Sequence, residues 1–412
     1  MQRVLKTVKY LDTLGWRSIV LTPASGEYPA MDNSLEKDIP DSCRVVRTRS
    51  IEPYGFYKGL LGVKKDTALP VALLTQESTN WKRRLSNWIR MNLFIPDAKI
   101  GWKPFAVRAG KKIIRREQPN MILSSSPPHS LQLIAKKLAA WSGIPWVADF
   151  RDPWTNIYHY DQLKRTSHAA RKDKRLEQRV LHDCSQVTAV SEGFFPDFDH
   201  PGKVTVIPNG YDPEDKPDTN TVQRNDNFTI RYMGSMKTRQ YVDSFFRMIR
   251  DLAGDPKTGG FQVELIGRMN PIVAEKIREL NLESSVHLTG YMDHDQALQK
   301  IVTADLLLLV IGKGNRGKNI LTSKLFEYLM TQKPILAYGP ADGAASRILR
   351  ETGAGQMFDY ADVSGPRDFI LNQHRNWLAG KTGLDRKKIQ IERYSRETLA
   401  RQFVKLFEGL TS

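Results

Sequence analysis

Short apolar runs alternate with amphipathic stretches along most of this chain, and that alternation predicts parallel strand–helix units. The run Met121 to Leu123 leads through Ser124-Ser125-Ser126-Pro127-Pro128 into a helix expected over 130–141. Strands follow at 145–148, 187–190 and 204–207, with a charged helix over 167–182 between the first two. A second series begins at Phe228, with strands at 228–234, 261–267, 286–289, 304–310 and 334–338. The polar, proline-containing stretch Asn209 to Asn227 joins the two series. Two α/β domains are therefore expected, at 1–208 and 209–385, with 386–412 as a closing helical segment. Ser395 suits the N-cap of that last helix, which carries Leu399, Phe403 and Leu406 on one face. It either lies on the second domain or crosses back to the first.

The start departs from this pattern. Residues 4–15 read as an amphipathic helix, followed by a strand at 18–21. A doubly wound domain opens with a strand whose glycine-rich turn feeds the first helix. A first strand is thus expected to be missing, the alternative being a fold that simply begins with a helix.

Bulk properties narrow the picture. A length of 412 residues exceeds one ordinary core. The longest apolar run, Leu306 to Ile311, falls far short of the roughly 20 residues that span a bilayer. Lys6, Lys9, Asp12 and Arg17 break up any leader-like apolar core. Cys43 and Cys184 lack a Cys or His at metal-ligand spacing, so reduced thiols in a cytoplasmic protein are expected. The net charge is +17, of which residues 1–210 carry +13 and residues 58–117 alone carry +10. Such one-sided charge points to a polyanion: an anionic membrane, nucleic acid or a phosphorylated substrate. No recognition-helix, zinc or RNA-binding motif accompanies it, so nucleic acid is set aside. Within that segment Trp81, Leu85, Trp88 and Ile89 recur at helical spacing among Lys82, Arg83, Arg84 and Arg90. Trp81, Arg83, Arg84 and Trp88 are candidates for a membrane interface; an amphipathic helix packed on its domain has the same pattern.

Open α/β sheets bind ligands at the carboxyl ends of their strands. Gly234-Ser235-Met236-Lys237-Thr238-Arg239 follows one strand and precedes a helix, so glycine allows close backbone approach and Lys237 or Arg239 could grip a phosphate. Loop cations of this kind are also commonly just solvated. The basic, glycine-rich stretch Lys313 to Asn319 leads into a helix with Lys324 and Glu327 at i and i+3. Lys324 could neutralise a diphosphate and Glu327 accept from a ribose diol, or the two could form a surface ion pair. In the first series His129 ends one strand, and Asp149, Arg151 and Asp152 end another. These could orient an acceptor hydroxyl, or cap a helix and pair internally.

Ser323 to Leu336, with the sequence SKLFEYLMTQKPIL, resembles the donor-site helix of the bacterial group 1 glycosyltransferases, glycosyltransferase family 4. Ala148-Asp149-Phe150-Arg151-Asp152-Pro153-Trp154, Ser124 to Ser130, Val206 to Asp212 and Ile230 to Ser235 are similar to that family's other segments in consistent order. The resemblance implies an α/β protein of the GT-B fold, with two Rossmann-like domains facing a central cleft. It implies a retaining, metal-independent hexosyltransferase without a cofactor, taking a nucleotide-diphosphate sugar as co-substrate. The acceptor would be a saccharide or lipid-linked saccharide, the setting cell-surface polysaccharide or lipopolysaccharide biosynthesis, and the location cytoplasmic or peripheral on the plasma membrane. Carried over, Gly234, Ser235, Arg239, Gly267, Lys324 and Glu327 bind the donor, and Arg239 and Lys324 offset the leaving diphosphate. Asp149 and Arg151 fall on the acceptor side, and Asp152, His129 and Asn319 are the catalytic candidates. Asn319 stands where the family often has a glutamate, eight positions before Glu327. Sugar-nucleotide epimerases share this architecture, and a catalytically degenerate homologue acting as a scaffold would keep the fold without binding nucleotide.

Overall fold

The computed structural model describes residues 2–24, 33–51, 81–157, 160–217, 225–255, 260–314, 317–381 and 391–411. The chain divides into two compact units, one formed by Met1–Ile207 with Ala400–Ser412 and the other by Pro208–Leu399.

Unit 1 opens with helix α1 (Gln2–Thr13), strand β1 (Ile19–Pro23) and strand β2 (Arg44–Thr48). Next come helices α2 (Trp81–Leu93) and α3 (Lys103–Glu117), then β3 (Ile122–Ser126), α4 (Ser130–Ser142) and β4 (Trp146–Phe150). Helix α5 (Ser167–Asp183), β5 (Gln186–Ala189) and β6 (Val204–Val206) complete the series. All strand pairs are parallel, yet the strands form two sheets, β1-β2 and β3-β4-β5-β6, with no ladder joining them among the described residues. Strand β4 is buried along its whole length, whereas every residue of β1 is half-buried. Leu21 of β1 and Ile122 of β3 nevertheless pack on one apolar cluster with Trp102, Ala106, Ile134 and Leu138.

Unit 2 is more regular. Its elements are β7 (Phe228–Met233), α6 (Asp243–Ala253), β8 (Phe261–Ile266), α7 (Pro271–Glu279), β9 (Val286–Gly290), α8 (His294–Val302), β10 (Leu306–Val310) and α9 (Ser323–Thr331). Then follow β11 (Ile335–Tyr338), α10 (Ala344–Thr352), β12 (Gly355–Phe358), α11 (Ser364–Leu378) and α12 (Arg396–Thr411). Six parallel strands run in the order β12-β11-β10-β7-β8-β9. Alternate residues of β7 and β10 point into two separate apolar layers: Ile230, Tyr232, Leu306 and Leu308 into one, Met233, Leu307 and Leu309 into the other. Burial on both faces is why these strands read as unbroken apolar runs.

Helix α12 belongs to unit 2 through Leu399 and to unit 1 from Ala400 onward. Its apolar stripe is Leu399, Phe403 and Phe407, with Leu406 only half-buried. Phe407 meets Trp16 edge-on at 5.2 Å, and Arg3 lies 5.5 Å over the Phe403 ring. Among the described residues no helix is long and apolar enough to cross a membrane.

Candidate donor site and its counterpart in unit 1

In unit 2 the strand order reverses between β7 and β10, and ligands of open α/β sheets bind outside the carboxyl ends of strands at such a reversal. The donor candidates stand there. Gly234 ends β7 at φ 102° and Gly267 ends β8 at φ 120°, a region that side chains disfavour. Space is as demanding as conformation. A Cβ on Gly234 would lie 2.6 Å from Cε of Lys324, and one on Gly267 would lie 2.7 Å from the Gly234 carbonyl oxygen. Two bare backbones and one lysine stem are thereby stacked together.

Lys324 sits in the first turn of α9, directly after the β10 loop. Its ammonium donates to the Tyr232 hydroxyl at 2.6 Å and lies 4.1 Å over that ring's centroid. Tyr232 in turn donates to the Ser235 carbonyl at 2.9 Å, so the lysine is held by a residue that is itself anchored. Burial, aided by the nearby Lys237 charge and only partly offset by Glu327, brings Lys324 down to about 8. A poorly solvated ammonium with donor capacity remaining is suited to a phosphate oxygen. The Glu327 carboxylate, one turn further along α9, makes no side-chain hydrogen bond among the described residues; His294 Nε2 lies 3.9 Å from it. Burial raises its carboxyl above the usual range, although His294, Lys324 and Arg396 pull the other way.

Arg239 is exposed beyond β7, in the turn Thr238–Gln240. Its carbonyl accepts from Lys313 N at 2.9 Å, and its Nη1 lies 3.5 Å from where a Gly314 side chain would begin. Arg239 thus stands at the β10 loop. Asn319 ends the turn Gly317–Asn319 before α9 and is half-buried; Asn315 and Arg316 of the same loop lie outside the described residues. The structure brings together Gly234, Ser235, Gly267 and Lys324, with Glu327 on the same helix. Tyr232 and His294 escaped the sequence reading. Tyr232 fits the pattern of a core strand, and His294 lies 33 positions from its partner.

The unit 1 candidates are differently placed. Asp149 was expected to face an acceptor, but its carboxylate is spent inside the unit. It accepts from Arg3 at 2.8 and 3.1 Å, from Ser125 at 2.6 Å and from Thr188 at 2.8 Å. Burial alone would raise this carboxyl, yet Arg3 and the two hydroxyls hold it below the usual range. Asp149 therefore ties α1 to β4. His129 stacks on Trp154 at 4.8 Å and 7°, with Nδ1 3.2 Å from Ser126 Oγ. Burial, with Arg151 and Arg165 nearby, lowers it to about 3. It stays neutral at ordinary pH, able to orient a hydroxyl but weak as a base. Arg151 donates to the backbone carbonyls of Ser126 and Pro127, while Asp152 is exposed beside it. The N-terminus of α4, a natural anion site, is filled by Asp97, which accepts from Ser130 N at 2.8 Å and from its hydroxyl at 2.9 Å.

On α2, Trp81, Leu85, Trp88 and Leu93 are 66%, 43%, 48% and 62% exposed, and Arg84 is exposed with them. The Arg83 side chain and residues 58–80 of the basic segment lie outside what is described.

Parallel α/β units with a reversal in strand order form open sheets that take ligands at that reversal. The chain matches the family described as Glycosyltransferase Family 4 over residues 2–215, and it belongs to that family. No curated protein matches it. Among solved structures it is similar to sucrose-phosphate synthase from Thermosynechococcus elongatus, at 15% identity, 99% of this chain and 92% of that one covered, and a TM-score of 0.64. It is also similar to HepE of Anabaena in complex with UDP, at 12% identity, 96% and 100% covered, TM-score 0.60. A third is WaaG, a glycosyltransferase involved in lipopolysaccharide biosynthesis, at 11% identity, 98% and 91% covered, TM-score 0.50. At these identities the likeness establishes the fold, which is GT-B.

Proposed function

We propose that this protein is a retaining glycosyltransferase that moves a sugar from a nucleotide-diphosphate donor to a saccharide or lipid-linked acceptor in cell-surface polysaccharide or lipopolysaccharide assembly. The observation that carries the donor side is the stack of Gly234, Gly267 and Lys324 at the sheet reversal of unit 2. Bare backbone admits a diphosphate closely, and Lys324 meets its charge from a dry surrounding where the attraction is strong. With Lys237 and Arg239 nearby, cations of the chain take the part that a metal ion plays in other transferases, so transfer is metal-independent and needs no cofactor. Glu327 accepts from the donor ribose, with the His294 ring 3.9 Å away. HepE binds UDP in the same fold, which supports this assignment.

On the acceptor side, His129 and Asp152 orient the sugar. The exposed aromatic face of α2 rests at an anionic membrane surface, with Arg84 reaching the headgroups. Such attachment suits an acceptor that cannot leave the bilayer, and the enzyme works from the cytoplasmic side.

A thermal-shift screen of nucleoside diphosphates and their sugars, repeated with Glu327→Ala, tests the proposal. One nucleotide family should stabilise the wild type and lose most of that effect in the variant. An equal shift in both proteins would place the nucleotide elsewhere.

A further inference from the structure

We propose that His182, Asp199 and His200 form a binding site on unit 1 for a divalent transition-metal ion of the zinc class. One ligand atom from each residue lies within 4.8 Å of the other two, and all three residues are exposed. His182 comes from the last turn of α5, while Asp199 and His200 end the segment that follows β5. These are 17 and 18 positions away, a separation that no compact metal motif in the sequence announces.

The arrangement is held before any ion arrives. Phe198 packs edge-on against both imidazoles, with ring centroids 5.6 Å from His182 and 5.7 Å from His200. The two imidazoles are themselves 5.6 Å apart. Lys203 donates to the His182 carbonyl at 2.6 Å, tying the end of α5 to the turn just beyond the ligands. His200 Nε2 already stands 3.8 Å from Asp199 Oδ1. Tetrahedral zinc with bonds near 2.0–2.1 Å puts its ligand atoms about 3.3 Å apart. Closing to that spacing takes only small side-chain rotations, which exposed residues accommodate.

Ligand chemistry selects the ion. Two imidazoles and one carboxylate suit zinc, nickel or copper; calcium and magnesium ask for oxygen alone. Three protein ligands leave a fourth position open. His182 and Asp199 also line a groove of about 160 Å³ that includes Glu177, Phe194 and Phe195. An ion held at its rim would present that open position beside the groove. It would also brace the segment 191–200 against α5, adding to the packing of Phe194, Phe195 and Phe198 with Val180 and Leu181 and to the Lys174–Asp197 pair at 3.0 Å. The site is separate from the metal-independent transfer proposed above, because none of its ligands is assigned to donor or acceptor.

The test uses the full chain without an affinity tag, stripped by a chelator and titrated calorimetrically with zinc, nickel and magnesium chlorides. One zinc or nickel ion per chain should bind, and magnesium should not. His182→Ala and His200→Ala should each weaken binding at least about tenfold, beyond the 10- to 100-fold typical of losing a mere supporting partner when both are combined. In the wild type, zinc should slow amide exchange across 191–203, a readout that needs no variant to fold. No binding by any of the three ions overturns the proposal. So does stoichiometric binding that survives the double variant, or zinc that leaves exchange in 191–203 unchanged.

Discussion

Buried charge serves opposite ends at Asp149 in unit 1 and at Lys324 in unit 2. In unit 1, Asp149 receives four hydrogen bonds from Arg3, Ser125 and Thr188. Asp173 likewise takes Trp154, Tyr160 and Arg165, and Glu177 takes the amide and hydroxyl of Thr155. Each of these carboxylates is used up in joining one element to another. In unit 2, Lys324 and Glu327 share a helix but are less fully paired: the lysine donates to the Tyr232 hydroxyl and, at 3.4 Å, towards the Ser235 carbonyl, and the glutamate has His294 Nε2 at 3.9 Å. Saturated charges build a fold, and undersaturated ones at a sheet reversal are prepared for a ligand.

The largest effect that follows is on stability. Asp149→Ala removes the carboxylate partner of the buried Arg3, and breaking such a pair costs about 3–5 kcal/mol. Denaturant unfolding followed by a probe in unit 1 should shift strongly, while nucleotide affinity stays near wild type in protein that remains folded. Lys324→Ala should do the reverse. Loss of a charge-assisted hydrogen bond, roughly 1.5–3 kcal/mol, lowers nucleoside-diphosphate affinity by about 10- to 100-fold in calorimetry. Unfolding midpoints should barely move, because a desolvated lysine adds little to the fold.

These two substitutions also show what could be read from the chain alone. The apolar run Leu306 to Val310 and the strand–helix alternation announced both α/β units, because parallel strands buried on two faces cannot hide their composition. Strands Arg44–Thr48 and Gly355–Phe358 stayed hidden. The first carries an arginine near either end, and the second is four residues long and starts with glycine. Helical spacing and resemblance together put Lys324 and Glu327 forward as donor-site candidates. The fate of Asp149 was not, since its partner Arg3 lies 146 positions away and only folding brings them together. Strand position was the signal for Asp149 and Gly234 alike; only three-dimensional saturation separates an anchor from a candidate site.

A pH profile sharpens the contrast further. Lys324 titrates at about 8, so the free protein loses that positive charge as pH rises through 8. A bound diphosphate favours the charged form, so affinity should fall by roughly tenfold between pH 7 and 9. Lys324→Arg stays charged throughout and should flatten the slope. The smallest effect belongs to Glu327→Gln. An amide keeps the shape and one acceptor, so nucleoside-diphosphate affinity should drop a few-fold, with inorganic pyrophosphate unaffected because it has no ribose.

Amide hydrogen exchange of the wild-type chain, with and without a saturating nucleoside diphosphate, tests the donor site most directly. Protection is predicted at 233–240, at 311–314 and in the first two turns of α9, with the Asp149 network unchanged. Exchange that slows only in unit 1, or a bound nucleotide that leaves those three segments untouched, would contradict the assignment of Gly234, Lys324 and Glu327.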